Sequence, residues 1–238
     1  MDTPVHSAVI LAMERELLPF LRRCRRVDVE TIRCYEHQGT VYACGGIGRS
    51  AAARATSAIL ERCRPRRVIS AGFAGALDTR LKVGQVLKPE VVIDTQTKQQ
   101  YRTTPVESPA EHITLVTADA TAGAGDKKQI ASRFGAQLLD MEAGAVAEVA
   151  ARAGVEFMAV KAVSDELDFA MPPVGRFVSR DGQFQQARFI AWTAWHPAQW
   201  APVWQLGRNS HAAARALSAY FERFGPRSVE CEVREVVR

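Results

Sequence analysis

No Cys-x-x-Cys pair occurs in this sequence, and no His/Cys set has the spacing of a zinc site. No apolar run approaches the roughly 20 residues that a membrane span needs. The five cysteines (Cys24, Cys34, Cys44, Cys63, Cys231) are odd in number and unpaired in pattern. They exclude a disulfide-framed secreted scaffold and fit free thiols in a reducing cytoplasm. Near the N-terminus, Asp2, Glu14 and Glu16 interrupt any signal-like run around Val9-Ile10-Leu11. Helix-turn-helix and RNA-binding signatures are also missing, so a nucleic-acid partner is not expected.

What is present is ordinary for a soluble domain: 47% hydrophobic and 24% charged residues over 238 positions, enough for one α/β domain with a substantial core. The net charge is a modest +5, with arginines in runs at Arg22-Arg23, Arg25-Arg26, Arg64 and Arg66-Arg67. Such runs read as solvated surface, or as attraction to phosphate or an anionic membrane face.

The most structured stretch is Leu138 to Asp168. A short apolar run from Ala136 to Leu139 ends at Asp140. A helix is predicted over Ala143–Ala153, where Val146, Val149, Ala150 and Ala153 make one apolar stripe. Gly154 is its stop, and Glu148 and Arg152 form an i,i+4 pair. Phe157 to Val163 then reads as a strand buried on both faces. Ligands of open α/β sheets sit at carboxyl ends of strands, and Glu142 and Asp165 each follow such an end. The alternatives are a residue favoured at a helix N-terminus and a turn residue.

Asp140-Met141-Glu142 followed by a small-residue helix and then Val163-Ser164-Asp165 resembles the paired signature of the nucleoside phosphorylase-I superfamily, especially its methylthioadenosine/S-adenosylhomocysteine nucleosidase branch. The resemblance implies a single domain with a central mixed, twisted sheet flanked by helices. It implies that Glu142 holds the ribose hydroxyls, Met141 packs on the sugar, Ser164 flanks the base and Asp165 protonates N7 of the leaving purine. It also implies a homodimer, no metal and no cofactor, with phosphate left open as a co-substrate.

Read in order, Val5 to Met13 is the first strand, and Glu14-Arg15-Glu16 opens a helix whose apolar side is Leu17, Leu18, Phe20 and Leu21. The family's AM-E-x-E motif falls at Ala12 to Glu16. It gives Glu16 the role of base toward an attacking water and puts Met13 at the substrate, where spacing alone offers a first-turn acid. Thr31 to Cys44 reads as a hairpin turning at His37-Gln38-Gly39. Gly45-Gly46-Ile47-Gly48-Arg49 and an Ala-rich helix to about Cys63 follow. This imitates a dinucleotide fingerprint, but the next strand, Val68 to Gly72, ends without the acid that the fingerprint wants. Gly46, Gly48 and Arg49 are instead candidates for an anion or phosphate, or the glycines merely permit tight packing.

Phe73-Ala74-Gly75-Ala76 matches the family's GxAG loop beneath the ribose, with Phe73 where the nucleosidases usually carry Ser. Val83 to Ile93 reads as one strand, and Asp94 to Glu111 as a short polar loop. Ile113 to Asp119 is another strand. Its end at Asp119-Ala120 resembles the base-binding turn, with Thr121 replacing the usual aromatic. A helix follows by Phe134.

A single domain over 1–224 therefore carries an insert at about 169–207, followed by a tail at 225–238. All four tryptophans (Trp192, Trp195, Trp200, Trp204) lie in the insert. A helix is predicted over Gln183–Trp195, then a proline-marked turn and a last helix from about Asn209 to Phe221. Tryptophans there are core or interface, or an apolar lid beside the pocket. This arrangement resembles the hopanoid-associated phosphorylases. It implies adenine release from a 5′-apolar, lipid-linked adenosine such as adenosylhopane, by phosphorolysis or hydrolysis, with peripheral membrane association as an option. The alternatives are a methylthioadenosine/S-adenosylhomocysteine or futalosine nucleosidase, and a non-catalytic nucleoside-binding protein.

Overall fold

A computed structural model describes residues 5–104 and 112–223. In chain order the elements are β1 (Ser7–Leu11), a 3-10 turn at Glu14–Glu16, α1 (Leu18–Leu21), β2 (Arg25–Arg26), β3 (Arg33–His37), β4 (Thr40–Cys44), α2 (Arg49–Cys63) and β5 (Arg67–Ala76). Then come β6 (Val86–Leu87), β7 (Val91–Asp94), β8 (Gln100–Arg102), β9 (Thr114–Thr117), α3 (Ala124–Phe134), β10 (Leu138–Asp140), α4 (Ala143–Ala153) and β11 (Glu156–Asp165). The insert contributes α5 (Gln186–Ala194) and the start of α6 (Trp200–Arg223).

The fold is a single mixed sheet flanked by helices, as expected. Its order is β2-β3-β4-β1-β5-β10-β9-β7-β8, with β11 on β5 and β6 on β11. The long strand β5 is the hub. Its first half pairs in parallel with β1 (Ser7↔Arg67 to Ile10↔Ser70), and its end pairs antiparallel with β10 (Leu138↔Ala76). β11 follows it from Glu156↔Arg67 to Asp165↔Gly75. The sheet splits where β5 passes from β1 to β10, and the ends of β1, β9, β10 and β11 converge around that split.

Side-chain alternation along the strands builds two cores. Ala8, Ile10, Val68 and Ala159 pack with α2 and α4 on one face. Val9, Leu11, Ile69, Met158 and Val160 pack with α1 and α6 on the other, through Phe20, Leu217 and Phe221. Strands buried on both faces read as continuous apolar runs for this reason.

Several boundaries differ from the sequence reading. β1 stops at Leu11, because the next two backbone amides turn toward Glu16. The helix expected from Glu14 is a 3-10 turn and one short α-helical turn, with Leu18 exposed rather than buried. Val83 to Ile93 divides into β6 and β7: Gly84 takes φ +89° and Pro89 has no amide to donate. The polar stretch after Asp94 contains β8, and its part at 105–111 lies outside the described residues, as do the tail and Cys231. α6 begins at Trp200, not Asn209. Pro202 falls in its first turn, where the missing N–H would have no intrahelical partner in any case.

Candidate active site

Four acidic residues line one cleft of about 170 Å³, Asp140 and, each following a different strand end, Glu16, Glu142 and Asp165. Glu16 follows β1 and is 4% exposed. One oxygen accepts the amides of Ala12 (2.9 Å) and Met13 (3.0 Å), and the other that of Phe73 (3.4 Å). Burial raises its pKa, against the pull of those amides and of Lys161. Gly72, at φ +142°, makes room for it: a Cβ there would stand 3.1 Å from both carboxylate oxygens.

Glu142 sits at the N-terminus of α4, beyond β10, and accepts the Gly48 amide at 2.7 Å. Its pKa is pushed up to about 8, first by burial and then by the Asp140 carboxylate. Asp140 itself is a structural anchor. It accepts the Thr117 hydroxyl (2.6 Å) and the Ala143 amide (2.9 Å), and it pairs with Lys161 at 2.8 Å. Lys161, 1% exposed on β11, also donates to Ser70 Oγ at 3.0 Å.

Asp165 ends β11 at an irregularity: Val163 faces Ala74 and Asp165 faces Gly75, leaving Ser164 extra. Adjacent side chains of a regular strand point to opposite faces, and a bulge re-aims them. Ser164 and Asp165 thus both border the cleft, and Ser164 Oγ donates to Asp165 Oδ1 at 2.7 Å. Asp165 Oδ2 accepts from Lys127 Nζ on α3, which also donates to the Glu166 carbonyl at 2.8 Å. A Cβ on Gly75 would lie 2.8 Å from that same oxygen.

Of the residues singled out in the sequence, Met13, Glu16, Phe73, Ala74, Ala120, Met141, Glu142, Ser164 and Asp165 line the cleft. Asp119 does not border it and is exposed. The glycine turn before α2 is fully engaged inside the protein. The Gly46 amide donates to Ala12 O (3.0 Å), that of Ile47 to Gly182 O (2.7 Å), and that of Gly48 to Glu142. Arg49 is held between Asp94 and Glu148. Lys127 and Lys161 escaped the sequence reading. Lys127 lies in a polar run, Asp126-Lys127-Lys128-Gln129, that looks solvated, and Lys161 in a strand that looks apolar. The one signal for Lys161 was a lone charge inside a buried run.

The insert does reach the cleft, through Met171, Val174, Gly175, Val178 and Phe184, but none of its tryptophans lines it. Trp192 packs with Phe177 and Phe189. A second, larger cavity of about 540 Å³ opens between α1, α5 and α6. It shares Arg15, Phe73, Val174 and Phe184 with the cleft, and Leu18, Ile190, Val203 and Leu206 line it farther out.

The phosphorylase superfamily model matches residues 6–124 and 113–187. A 5′-methylthioadenosine/S-adenosylhomocysteine nucleosidase of Staphylococcus epidermidis is 26% identical over 193 residues, covering 66% of this chain and 85% of the relative. Among solved structures, the apo 5′-methylthioadenosine nucleosidase of Arabidopsis thaliana superposes with a TM-score of 0.67 at 18% identity, over 95% of this chain and 99% of that one. The futalosine hydrolase of Helicobacter pylori gives 0.64 at 17% identity, over 92% and 98%.

Proposed function

Because this chain belongs to the phosphorylase superfamily, an enzyme family, we propose that it hydrolyses the N-glycosidic bond of a purine nucleoside, releasing adenine from an adenosine with an apolar 5′ substituent such as adenosylhopane. The observation that carries the reading is the convergence of Glu16, Glu142 and Asp165 on one cleft from separate strand ends. A non-catalytic binding protein would not need two buried carboxylates, Glu16 and Asp165, at a desolvation cost beside a half-buried third, Glu142.

The chemistry divides among them. Adenine leaves poorly as an anion, so a proton delivered to N7 lowers the barrier. Asp165 supplies it in its protonated form, and the carboxylate left behind is stabilised by the hydrogen bonds it accepts from Lys127 and Ser164. As the C1′–N9 bond breaks, its electrons pass to the purine and the ribose gains oxocarbenium character. Glu142 accepts the ribose hydroxyls and, when ionised, faces the developing positive charge. A water attacks C1′ and gives its proton to Glu16, whose raised pKa makes it a better base. Water is favoured over phosphate because the glycine turn has its amides occupied and Arg49 is neutralised by two carboxylates. No step calls for a cofactor.

The 5′ substituent is assigned to the neighbouring cavity, which shares Arg15, Phe73, Val174 and Phe184 with the cleft. Each Å² of hydrocarbon buried there contributes about 25 cal/mol, and a methylthio group offers little such area. A methylthioadenosine/S-adenosylhomocysteine or futalosine nucleosidase is the second reading, favoured by the names of the relatives. Competition between methylthioadenosine and adenosines of increasing 5′ alkyl length, in detergent, decides between them. Rising kcat/KM with apolar size is expected, and a strong preference for methylthioadenosine would return the chain to the second reading.

A further inference from the structure

The outer face of the insert has an unusual chemistry. Trp195 is 86% exposed, Trp204 65%, Ile190 58% and Trp200 56%, although tryptophan normally buries its large surface. On α6, positions 200, 204, 208, 211 and 215 fall within an arc of about 80° at 3.6 residues per turn. That arc carries Trp200, Trp204, Arg208, His211 and Arg215, all exposed. Arg208 lies over the Trp204 ring, its guanidinium carbon 4.7 Å from the centroid. Trp200 and Trp204 are therefore not scattered. They form a stripe that runs into a basic one.

Charge of one sign accompanies them. Between Asp181 and Glu222 the sequence has no acidic residue, while Arg188, Arg208 and Arg215 are present and exposed. Exposed Arg22 and Arg23 extend the basic rim from α1, although Arg23 is paired with Glu222. The adjoining face of α6, with Val203, Leu206 and Ser210, walls the outer cavity, so the aromatic stripe lies beside that cavity.

We propose that this face is a docking surface for an anionic lipid bilayer, on which the tryptophans sit at headgroup level with the arginines against lipid phosphates. Tryptophan is enriched at membrane–water interfaces because its ring is apolar with one polar edge. Arginine lays its apolar stem along such a boundary and keeps its charge at the headgroups. No helix among the described residues is long and apolar enough to cross a membrane, so the attachment is peripheral and reversible. A second copy of the chain would have to place this unopposed positive charge against an equally positive face. An anionic bilayer meets it with the opposite sign. The inference concerns the surface alone and stands whether or not the cleft cleaves a nucleoside.

The full chain is to be sedimented with vesicles of phosphatidylcholine alone and of phosphatidylcholine mixed with phosphatidylglycerol. Binding to the anionic vesicles is expected, with a blue shift of tryptophan emission and weakening by salt. Arg188→Gln, Arg208→Gln and Arg215→Gln together should lower the partition coefficient on anionic vesicles by about fivefold per arginine. Trp195→Ala with Trp204→Ala should reduce the blue shift and weaken binding even at low salt, with the circular dichroism melt unchanged because neither ring is in the core. No binding of the unaltered chain to anionic vesicles, or binding that both variants retain, overturns the proposal. So does sedimentation showing a dimer that the tryptophan variant dissociates, which would assign the face to a second copy.

Discussion

Asp165 has both carboxylate oxygens engaged before any base arrives, one by the Ser164 hydroxyl and one by the Lys127 ammonium. Asp165→Asn should therefore slow adenine release by roughly 10²-fold or more, the usual weight of a general acid. The same variant should lose little on a nitrophenyl riboside, whose leaving group needs no proton. Lys127→Met should follow the same leaving-group pattern with a smaller loss, whereas a purely structural lysine would depress both substrates alike. Glu142 makes a prediction in pH. Its pKa rises from 4.5 to about 8 on folding, so the folded chain binds more protons than the unfolded chain between those values. Stability attributable to this group is present below that window and is lost as pH climbs through it. Glu142→Gln should flatten the fall in Tm over that range. In the wild type, kcat/KM should rise toward pH 8 as Glu142, proposed to hold the ribose hydroxyls, ionises. At this scale the meeting of Glu16, Glu142 and Asp165 at one cleft could be expected from the sequence because each stands in a short motif. The lysines could not, since nothing local separates a buried ammonium from a solvated one. Their partners arrive from other elements, Asp140 from β10 and Asp165 from β11.

Among the elements, β5 does the positioning. The sequence reading ended this strand at Gly72 and made Phe73 to Leu77 a loop, yet the strand continues to Ala76. Pairing with β11 along nearly its whole length keeps it extended, a tertiary contact that no local pattern reveals. Its glycines leave space for two of the acids, Gly72 for Glu16 and Gly75 for Asp165. Gly75→Ala should cut activity sharply with little loss of fold, because its Cβ meets the Asp165 carboxylate and the Lys127 tip rather than backbone. Gly72→Ala should cost both, since it adds strain of about 1–3 kcal/mol at a positive φ to a collision with Glu16. Thermal melts beside turnover measurements separate the two variants; equal melting losses would contradict this division. The helix over Ala143–Ala153 was read to the residue because its stripe and its Gly154 stop are local features. The start of α6 was missed because prolines at 197 and 202 look like punctuation. Pro202 in fact lies within the first helical turn, where proline is tolerated.

For the molecule as a whole, length and pattern gave one α/β domain, the mixed sheet flanked by helices followed from what the motif resemblance implies, and the cleft from acids placed at strand ends. The position of the tryptophans did not follow. Composition favours core, interface or lid for such residues, and three of the four stand in solvent while aliphatic and phenyl groups wall the cleft. The central claim is hydrolytic release of a purine from a nucleoside. Its most direct measurement follows adenine release from a 5′-alkyl adenosine in phosphate-free buffer made with isotopically labelled water, with the sugar product analysed by mass spectrometry. Adenine and free sugar carrying the label at C1′ are expected, with Asp165→Asn slow under the same conditions. No base release, or release that begins only when phosphate is added and yields a sugar 1-phosphate, would contradict the account.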